Sequence, residues 1–325
     1  MMKGRIFSIV LILALCLGLF PAEILAVDEK DAMPVVQIAL DNAANVDNEN
    51  YQINSSNIRL KNKNVIYDLT GTTTTPIYFW GSNDKDDTGR FYLRLNGATT
   101  DVIQGYSNTV GLVIELPAGT TNSVNILTAT NLEIFGEGQL NAALIADRGV
   151  ESNVIKHGIS ITDSTIVVQT MVGKSNEWEG AIALKGTADV TLTGNDVYPP
   201  LKLGQSGAAT MILQDSAKLR VLQKEAAISY SNIVDGLQIF HSDSSLILKD
   251  NSFLKVEGKA STSQYGQGYG IIHEGNFEIQ DQAEIEAEGY GFAIYISGNA
   301  NLTGGKVSAK SSASNAFGVG GLLTM

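Results

Sequence analysis

One short pattern recurs along the chain and limits its fold more than any other feature. Two apolar residues, separated by one position, are followed two positions later by Asp or Gly, and a second apolar pair comes a few residues further on. The copy around Asp250 has Leu246 and Leu248 before it and Leu254 and Val256 after it. The residues at this pivot, which lie 21 to 35 positions apart, are Gly136, Asp163, Gly194, Asp215, Asp250, Asp281 and Gly304.

The choice of Asp or Gly at the pivot indicates a sharp corner between two strands. Gly reaches left-handed dihedral angles freely, and Asp can hydrogen-bond its own backbone in a turn. A third short apolar run precedes most pivots, as at residues 237–240 and 292–296. Three short strands joined by two corners and one loop of variable length describe one turn of a parallel β-helix. Repeat units of this kind are stable only when they stack on each other.

The rest of the chain agrees with an all-β fold. Short alternating runs of apolar and polar residues are frequent, and they are broken by Gly, Asn or Asp. We predict a single right-handed parallel β-helix of about eight to ten coils over residues 61–325. Residues 27–60 are expected to form an N-terminal cap or linker, with a short helix in the run VVQIALDNA after Pro34.

The first 26 residues have the three parts of a secretory signal. Lys3 and Arg5 are basic, an apolar run follows, and small residues precede a cleavage site near Ala26. That run is too short to span a bilayer comfortably. A lipoprotein anchor at Cys16 is the alternative, although Leu15 stands where a small residue is needed. Since Cys16 is the single cysteine, the exported chain would contain no disulfide, which favours a bacterial exoprotein.

The end of the sequence resembles an unfinished coil. Phe317 and Val319 have the spacing of the first strand of another coil, and the chain then stops at GGLLTM without a polar cap. An uncovered parallel edge invites pairing with other chains. We expect either a piece of a longer protein, truncated at its C-terminus, or a last coil that is poorly ordered or covered by a partner.

Several segments resemble a known family. They are YDLTGTTTTPIYFWG at 67–81, FYLRLNGATT at 91–100, NLEIFGEGQLNA at 131–142 and ADVTLTGNDV at 188–197. Their repeat is similar to that of the pectin-lyase-like parallel β-helix proteins. In particular it is similar to that of the secreted or surface proteins of Gram-positive bacteria described as carbohydrate-binding. The resemblance covers residues 60–320 and implies architecture and carbohydrate binding, but it includes no catalytic motif.

Two of the three histidines lie at similar distances from their pivots. His241 precedes Asp250 by nine residues and His273 precedes Asp281 by eight, which would stack them on neighbouring coils about 5 Å apart, with Glu274 adjacent. Such a group could bind a metal or act as acid and base. The alternative is an ordinary polar corner, so His241, His273 and Glu274 are candidates for catalysis and no more.

A possible calcium loop lies in the segment GSNDKDDTGR at 81–90. Asp84, Asp86 and Thr88 match the first half of such a loop, in which oxygen ligands stand at alternate positions around the ion. The acidic residue expected at the twelfth position is missing, because Leu95 stands there. A solvated loop is the alternative to a Ca²⁺ site.

Aromatic residues in or beside loops are the candidates for ligand contact. Trp80, Trp178, Tyr265 and Tyr269 belong to this group. Exposed aromatic rings stack on sugar rings, whereas buried ones cover the core beneath loops. The sequence leaves both interpretations open for each of the four.

Alignment of the pivots predicts one outward column of side chains. Arg220, Lys255, Glu286 and Ser308 should lie side by side on successive coils. Lys255 and Glu286 would then be opposite charges in register, which disfavours slipped stacking of the coils. Glu286 is therefore interpreted as a structural residue.

The function predicted from these features is a non-catalytic secreted or cell-surface module that binds an extracellular polysaccharide or a surface glycan. The net charge of −12 argues against nucleic acid as a partner. A polysaccharide lyase or glycoside hydrolase on the same scaffold is one alternative, and a structural stalk of a longer surface protein is the other. No cofactor is expected apart from the possible Ca²⁺.

Overall fold

A computed structural model describes residues 32–42, 45–80, 89–106, 110–147, 158–173, 181–194, 200–203, 207–223, 235–259, 268–313 and 315–325. Within these ranges the chain forms strands and one short 3₁₀ turn at Leu40–Asn42. None of the described residues forms a helix that is long and apolar enough to cross a membrane. The all-β class predicted from the alternating runs is confirmed.

The described residues form 28 strands, numbered in chain order. The first fourteen are β1 (Val35–Ala39), β2 (Val46–Asp47), β3 (Tyr51–Ile53), β4 (Ile58–Leu60), β5 (Ile66–Thr73), β6 (Ile77–Phe79), β7 (Arg90–Gly105), β8 (Gly111–Glu115), β9 (Thr121–Phe135), β10 (Gln139–Asp147), β11 (Gly158–Thr162), β12 (Thr165–Gly173), β13 (Ala181–Lys185) and β14 (Asp189–Leu192). The others are β15 (Leu201–Leu203), β16 (Thr210–Leu213), β17 (Lys218–Leu222), β18 (Leu237–Ile239), β19 (Ser245–Leu248), β20 (Phe253–Glu257), β21 (Ile271–His273), β22 (Asn276–Ile279), β23 (Glu284–Gly289), β24 (Ile294–Ile296), β25 (Ala300–Leu302), β26 (Lys306–Ser311), β27 (Phe317–Val319) and β28 (Leu323–Thr324).

Parallel pairing between successive turns arranges these strands on three faces. Face A contains β19, β22 and β25, face B contains β20, β23 and β26, and face C contains β21, β24 and β27, each strand paired with its counterpart one turn later. The chain visits A, B and C in that order, and a coil is one such turn. Ten coils follow one another, beginning at residues 66, 90, 111, 130, 158, 181, 210, 245, 276 and 300. The predicted parallel β-helix and its number of coils are confirmed.

The core is a single continuous stack along the inside of the coils. One inward column on face A, in direct register, consists of Ile182, Met211, Leu246, Phe277 and Ala300, all at most 2 % exposed. Burying each large apolar side chain contributes about 1.5–3 kcal/mol, and the parallel ladder satisfies the backbone between them. In the last coil the inward Val307 and Phe317 are only half-buried. The prediction that Phe317 and Val319 begin another coil is wrong, since Phe317–Val319 is the face C strand β27, and β28 is the strand that follows on face A.

The corner between faces A and B has the predicted pivot geometry. Asp163, Asp215, Asp250 and Asp281 have φ between 57° and 59°, in the left-handed region that Asp tolerates. Two predicted pivots are wrong. In the last coil the left-handed residue is Gly305, with φ of 69°, and not Gly304, and in the coil that begins at residue 181 the pivot was assigned to the wrong corner. The pivot of that coil is Gly186, with φ of 61°, because β13 is the face A strand and β14 lies on face B. Gly194 also has a positive φ, but it follows the face B strand.

Stacked carboxylates reinforce this corner. Oδ2 of Asp215 accepts the N–H of Gly186 at 2.9 Å, Oδ2 of Asp250 accepts that of Asp215 at 3.0 Å, and Oδ2 of Asp281 accepts that of Asp250 at 3.2 Å. Each acid therefore holds the backbone of the pivot in the preceding coil. The pivot aspartates are thus inter-coil contacts as well as turn residues.

The N-terminal segment differs from the prediction. The short helix expected after Pro34 is wrong, since Val35–Ala39 forms β1, which extends face A by parallel pairing with β5. The β-branched residues of β1 favour a strand, and the open edge of β5 offers hydrogen-bond partners. Strands β2, β3 and β4 then pair antiparallel. The Tyr67 hydroxyl anchors this segment by donating to the carbonyl of Asn50 at 2.5 Å.

Variation in coil length lies at two corners, the one between faces B and C and the one between faces C and A. In the coil that begins at residue 276 the B–C corner comprises residues 290–293, whereas in the two preceding coils it comprises residues 223–236 and 258–270. The C–A corner comprises residues 148–157 after β10 but only residues 274–275 after β21. The strands on either side of the B–C corner keep their register with neighbouring coils. The uneven spacing of the pivots follows from both corners.

Candidate functional site

An aromatic cluster lies near the N-terminal end of face C, made of Tyr78, Trp80 and Tyr106. Phe79 points into the core, so its neighbours Tyr78 and Trp80 point outward. The rings of Trp80 and Tyr106 are stacked, with centroids 5.0 Å apart and planes at 13°. Tyr78 makes edge contacts with both rings, at 5.7 Å and 5.1 Å. This group is called the N-terminal aromatic cluster.

The indole of Trp80 is covered on two sides. The guanidinium carbon of Arg59 lies 4.7 Å from its ring centroid. Arg59 belongs to β4, before β6 in the stack, whereas Tyr106 directly follows β7, the strand after β6. The two groups therefore lie on opposite sides of the indole, and Trp80 presents mainly its edge to solvent although it is 36 % exposed. Because both faces of the indole are occupied, a sugar ring has little access for stacking on Trp80, although the exposed fraction of the side chain alone would favour such stacking.

A second aromatic cluster lies toward the C-terminal end, with Tyr269 and Phe292 at the corner between faces B and C and Tyr295 on face C, and we call it the C-terminal aromatic cluster. The rings of Tyr269 and Phe292 are stacked, with centroids 5.9 Å apart and planes at 19°, and Tyr295 lies 5.3 Å from Phe292 and 6.3 Å from Tyr269. Tyr295 is 36 % exposed. One coil further, a side chain on Gly318 would approach Phe292 and Tyr295 to 3.1 Å and 3.4 Å. The absence of a side chain at Gly318 thus lets both rings pack closely against the backbone of the next coil.

Buried polar groups hold Tyr269 in place. The Asp235 carboxylate accepts the backbone N–H of Tyr269 at 2.6 Å and the side-chain N–H of Gln238 at 2.8 Å. Burial raises the pKa of Asp235, and its two hydrogen bonds only partly oppose this. Burial likewise raises the pKa of the Tyr269 phenol, as do the nearby Asp235 and Tyr295. At neutral pH this phenol is therefore an uncharged hydroxyl, which suits a neutral ligand.

The predicted pair of histidines is wrong. In the register of face C, His273 lies beside Ile239, and His241 comes two positions later, in the corner before face A. That corner spans residues 240–244 in one coil and residues 274–275 in the next, which the count from the pivots could not reveal. His241 has a φ of 81°, and Glu274 accepts its backbone N–H at 3.0 Å. Glu274 therefore acts on the backbone of a corner, as the pivot aspartates do.

His273 is a core residue. It is fully buried, and its Nε2 lies 2.7 Å from the carbonyl oxygen of Asn276, so Nε2 carries the hydrogen and donates it. Nδ1 is buried without a hydrogen-bond partner among the described residues, and the ring packs 6.3 Å from Phe277. Burial lowers the pKa of His273, although the Asn276 carbonyl and Glu274 oppose this. A neutral, enclosed imidazole of this kind cannot reach a substrate on the surface.

The other candidates cannot be placed. Asp84, Asp86, Thr88, Trp178 and Tyr265 all lie outside the described residues. Within the described ranges, no three His, Cys, Asp or Glu side chains come together as metal ligands would. The calcium site and the two additional aromatic contacts stay predictions.

Three aromatic residues gained importance only from the structure. Tyr106, Phe292 and Tyr295 were not singled out as ligand contacts. The available signal was the coil spacing, since Tyr106 follows Gly105, which is in register with Phe79, the residue before Trp80. Phe292 and Tyr295 lie about one coil after Tyr269 along the chain. Aligning aromatic residues by coil would have identified both clusters.

Comparisons with protein-family models, with curated proteins and with solved structures return no match for this chain, so its function is argued from its own residues.

Proposed function

We propose that the protein is a non-catalytic, extracellular glycan-binding module of the pectin-lyase-like type, and that the C-terminal aromatic cluster contacts the glycan. The observation that carries this proposal is the group of three ring contacts among Tyr269, Phe292 and Tyr295 on an outward face of the helix. Tyr295 is 36 % exposed, and Tyr269 and Phe292 are partly exposed, so the group is accessible to a ligand from solvent.

The chemistry of the cluster suits a sugar. Aromatic rings combine a large apolar face with little loss of conformational entropy on binding, and the tyrosine hydroxyl adds a hydrogen-bonding group. The cluster is only partly exposed, and its rings are not coplanar, since Tyr295 is tilted by 50° against Phe292 and by 34° against Tyr269. An acidic surface on a protein of net charge −12 favours neutral or cationic glycans over strongly anionic ones.

The test compares variants with a matched tyrosine outside the cluster. Tyr295→Ala should weaken binding at least ten-fold, because truncating an aromatic hot-spot contact removes about 2 kcal/mol or more of binding free energy. Tyr290→Ala is the control, since Tyr290 is 45 % exposed and its ring makes no aromatic contact with another described residue. A glycan array on the wild type identifies the ligand, and calorimetry then measures the two variants. Absence of binding to any glycan, or equal loss in both variants, would refute the proposal.

The non-catalytic part of the proposal has its own assay. Incubation with pectin, xylan and mucin should release no reducing sugar above the blank. Any release of reducing sugar above the blank would overturn this part. Release that survives His273→Gln and Glu274→Gln would point to a hydrolase or lyase site elsewhere in the chain.

A structural stalk is the second candidate. It is favoured by the stacked carboxylates at the A–B corner, which tie successive coils together without any need for a ligand. The two candidates differ in the array experiment, because a stalk needs no glycan and a binding module must retain one.

A further inference from the structure

The outward side of face B carries charges in transverse bands. One column, in direct register over five coils, consists of Asp189, Lys218, Phe253, Glu284 and Lys306. Their charges run negative, positive, neutral, negative, positive. Residues at equal distances on either side of Phe253 therefore carry opposite charges, and Phe253 itself is half-exposed at the centre of the column.

The neighbouring column has the same property. It consists of Thr191, Arg220, Lys255, Glu286 and Ser308, in the register predicted from the pivots. Arg220 and Glu286 stand at equal distances on either side of Lys255. The two columns together are called the banded patch, and its centre is β20.

Most of the charged residues of the banded patch form ion pairs within the chain, and two of them have no ion-pair partner among the described residues. Arg220 pairs with Asp189, and Lys306 pairs with Glu284. Lys255 pairs with Glu257 at 3.2 Å and not with Glu286, contrary to the predicted pair. Lys218 and Glu286 form no ion pair with another described residue, although Glu286 is near enough to contribute to the raised pKa of Lys306. One unpaired cation and one unpaired anion thus lie on opposite sides of the centre.

We propose that a second copy of this chain docks on the banded patch, with a two-fold axis that runs along β20. Rotation about this axis places each coil opposite its mirror position in the stack. Lys218 then faces Glu284 of the second copy, and Arg220 faces Glu286 of the second copy. Asp189 likewise faces Lys306 of the second copy, and the two Phe253 rings meet at the axis.

The charge order selects this arrangement over the other two-fold packing of the same face. An axis parallel to the stack would place each coil opposite the same coil of the second copy. Arg220 would then face a basic residue of the second copy, and Glu286 would face an acidic one. Like charges directly opposed are destabilising. In the proposed arrangement only residues of β20 face themselves, and the charged ones among them, Lys255 and Glu257, form an ion pair within each chain. Burial opposes ionisation of Glu257, but hydrogen bonds from Lys255 and Lys259 outweigh it and lower the pKa of Glu257, so each Lys255 keeps an anionic partner in its own chain.

The size of the patch limits the strength of the contact. Five coils at about 4.8 Å give a height of about 24 Å, and five residues per strand give a width of about 16 Å, or roughly 400 Å² in projection. Stable interfaces bury about 800 Å² per partner. The dimer is therefore weak, in the micromolar range or above, and its charged contacts make it sensitive to salt.

Charge reversal tests the arrangement in solution. Sedimentation equilibrium of the wild type should show dimers at about 20 mM NaCl and an association at least ten-fold weaker at about 300 mM. Lys218→Glu and Glu284→Lys should each weaken dimerisation at least ten-fold when alone, since each places like charges opposite at both symmetric contacts. An equal mixture of the two variants should recover association, because Glu at 218 in one copy then meets Lys at 284 in the other.

The control is Lys249→Glu, which changes the net charge as Lys218→Glu does but lies at the A–B corner outside the patch. It should dimerise like the wild type, and the melting temperatures of all variants establish that they are folded. A wild type that stays monomeric at low salt would overturn the proposal. An equal effect of the two lysine substitutions would do so too, as would a mixture that stays monomeric.

Discussion

The carboxylate of Asp250 is the clearest place to test what stabilises the stack of coils. Its φ of 58° lies in the left-handed region, and its Oδ2 accepts the N–H of Asp215 in the preceding coil at 3.0 Å. Substitution of Asp250 by Asn, Gly and Ala separates these two contributions. Asn keeps an acceptor oxygen and tolerates the left-handed backbone, Gly keeps only the backbone freedom, and Ala keeps neither.

The expected losses follow from these roles. A hydrogen bond with a charged partner contributes about 1.5–3 kcal/mol when buried, and solvent at this half-exposed corner reduces that to about 1 kcal/mol. The left-handed conformation costs an alanine a further 1 kcal/mol or more, roughly. We therefore expect Asp250→Asn to lower the free energy of unfolding by about 0.5 kcal/mol, Asp250→Gly by about 1 kcal/mol and Asp250→Ala by about 2 kcal/mol.

Two measurements check this order. Urea unfolding followed by circular dichroism gives the free energies, and Asp243→Ala serves as the control, since the side chain of Asp243 is 80 % exposed. Hydrogen exchange of the Asp215 amide reports the bond directly and should accelerate in the Gly and Ala variants but much less in the Asn variant. An Asp250→Gly protein as unstable as Asp250→Ala would refute the backbone contribution. Unchanged exchange at Asp215 would refute the contribution of the carboxylate.

Three further predictions concern groups whose charge matters to stability. Burial holds the pKa of His273 below its unfolded value near 6.5, so the unfolded chain takes up the proton first. The free energy of unfolding therefore falls as the pH drops below about 6.5, by at most 1.4 kcal/mol per pH unit. In His273→Gln the melting temperature should change less between pH 7.5 and 5.5 than in the wild type, and an equal change in both proteins would contradict this role of His273. Burial raises the pKa of Asp235, so its contribution to stability is full below the unfolded value and is lost as the pH rises. Asp235→Asn should raise the melting temperature at pH 7, because the amide oxygen still accepts the N–H of Tyr269 and the buried charge is removed. The new NH₂ group replaces the oxygen that accepts from Nε2 of Gln238, so the Gln238 amide turns over and presents its buried Oε1 as the acceptor. A lower melting temperature would show that the charge is needed. Glu286→Lys adds a cation beside Lys255 and Lys306 and should lower the free energy of unfolding by a few tenths of a kcal/mol at low salt. Glu286→Gln should have a smaller effect. A loss of stability that persists in 0.5 M NaCl would exclude this electrostatic explanation.

The fold could be predicted because its main determinants are local. Alternation identifies strands, and the left-handed requirement selects Asp or Gly at the same corner of each coil, as Asp163 and Asp281 confirm. The register of Arg220, Lys255, Glu286 and Ser308 followed from the same count, because faces A and B are joined by a corner of nearly constant length. The strand at Val35–Ala39 was missed, since its state depends on the distant edge of β5.

The candidate site was harder to predict, because it depends on the variable corners. His241 and His273 were aligned by counting back across the corner between faces C and A, whose length differs between the two coils. The ion pair expected between Lys255 and Glu286 failed for another reason. Register fixes which Cα atoms are neighbours, but a long lysine side chain can reach Glu257 on its own strand. Trp80 and Tyr269 are at least partly exposed, and their role in ligand contact stays a prediction, whereas the stacking of Trp80 between Arg59 and Tyr106 required coordinates.

The uneven corner between faces B and C has a consequence for how such a chain can change over evolutionary time. Insertions there alter neither the inward columns nor the A–B corner, since the coils on either side of residues 223–236 and 258–270 keep their register. An insertion next to Asp250 would instead displace the carboxylate from the amide of Asp215. New recognition loops can therefore be added at the B–C corner, while the A–B corner preserves the fold that displays them.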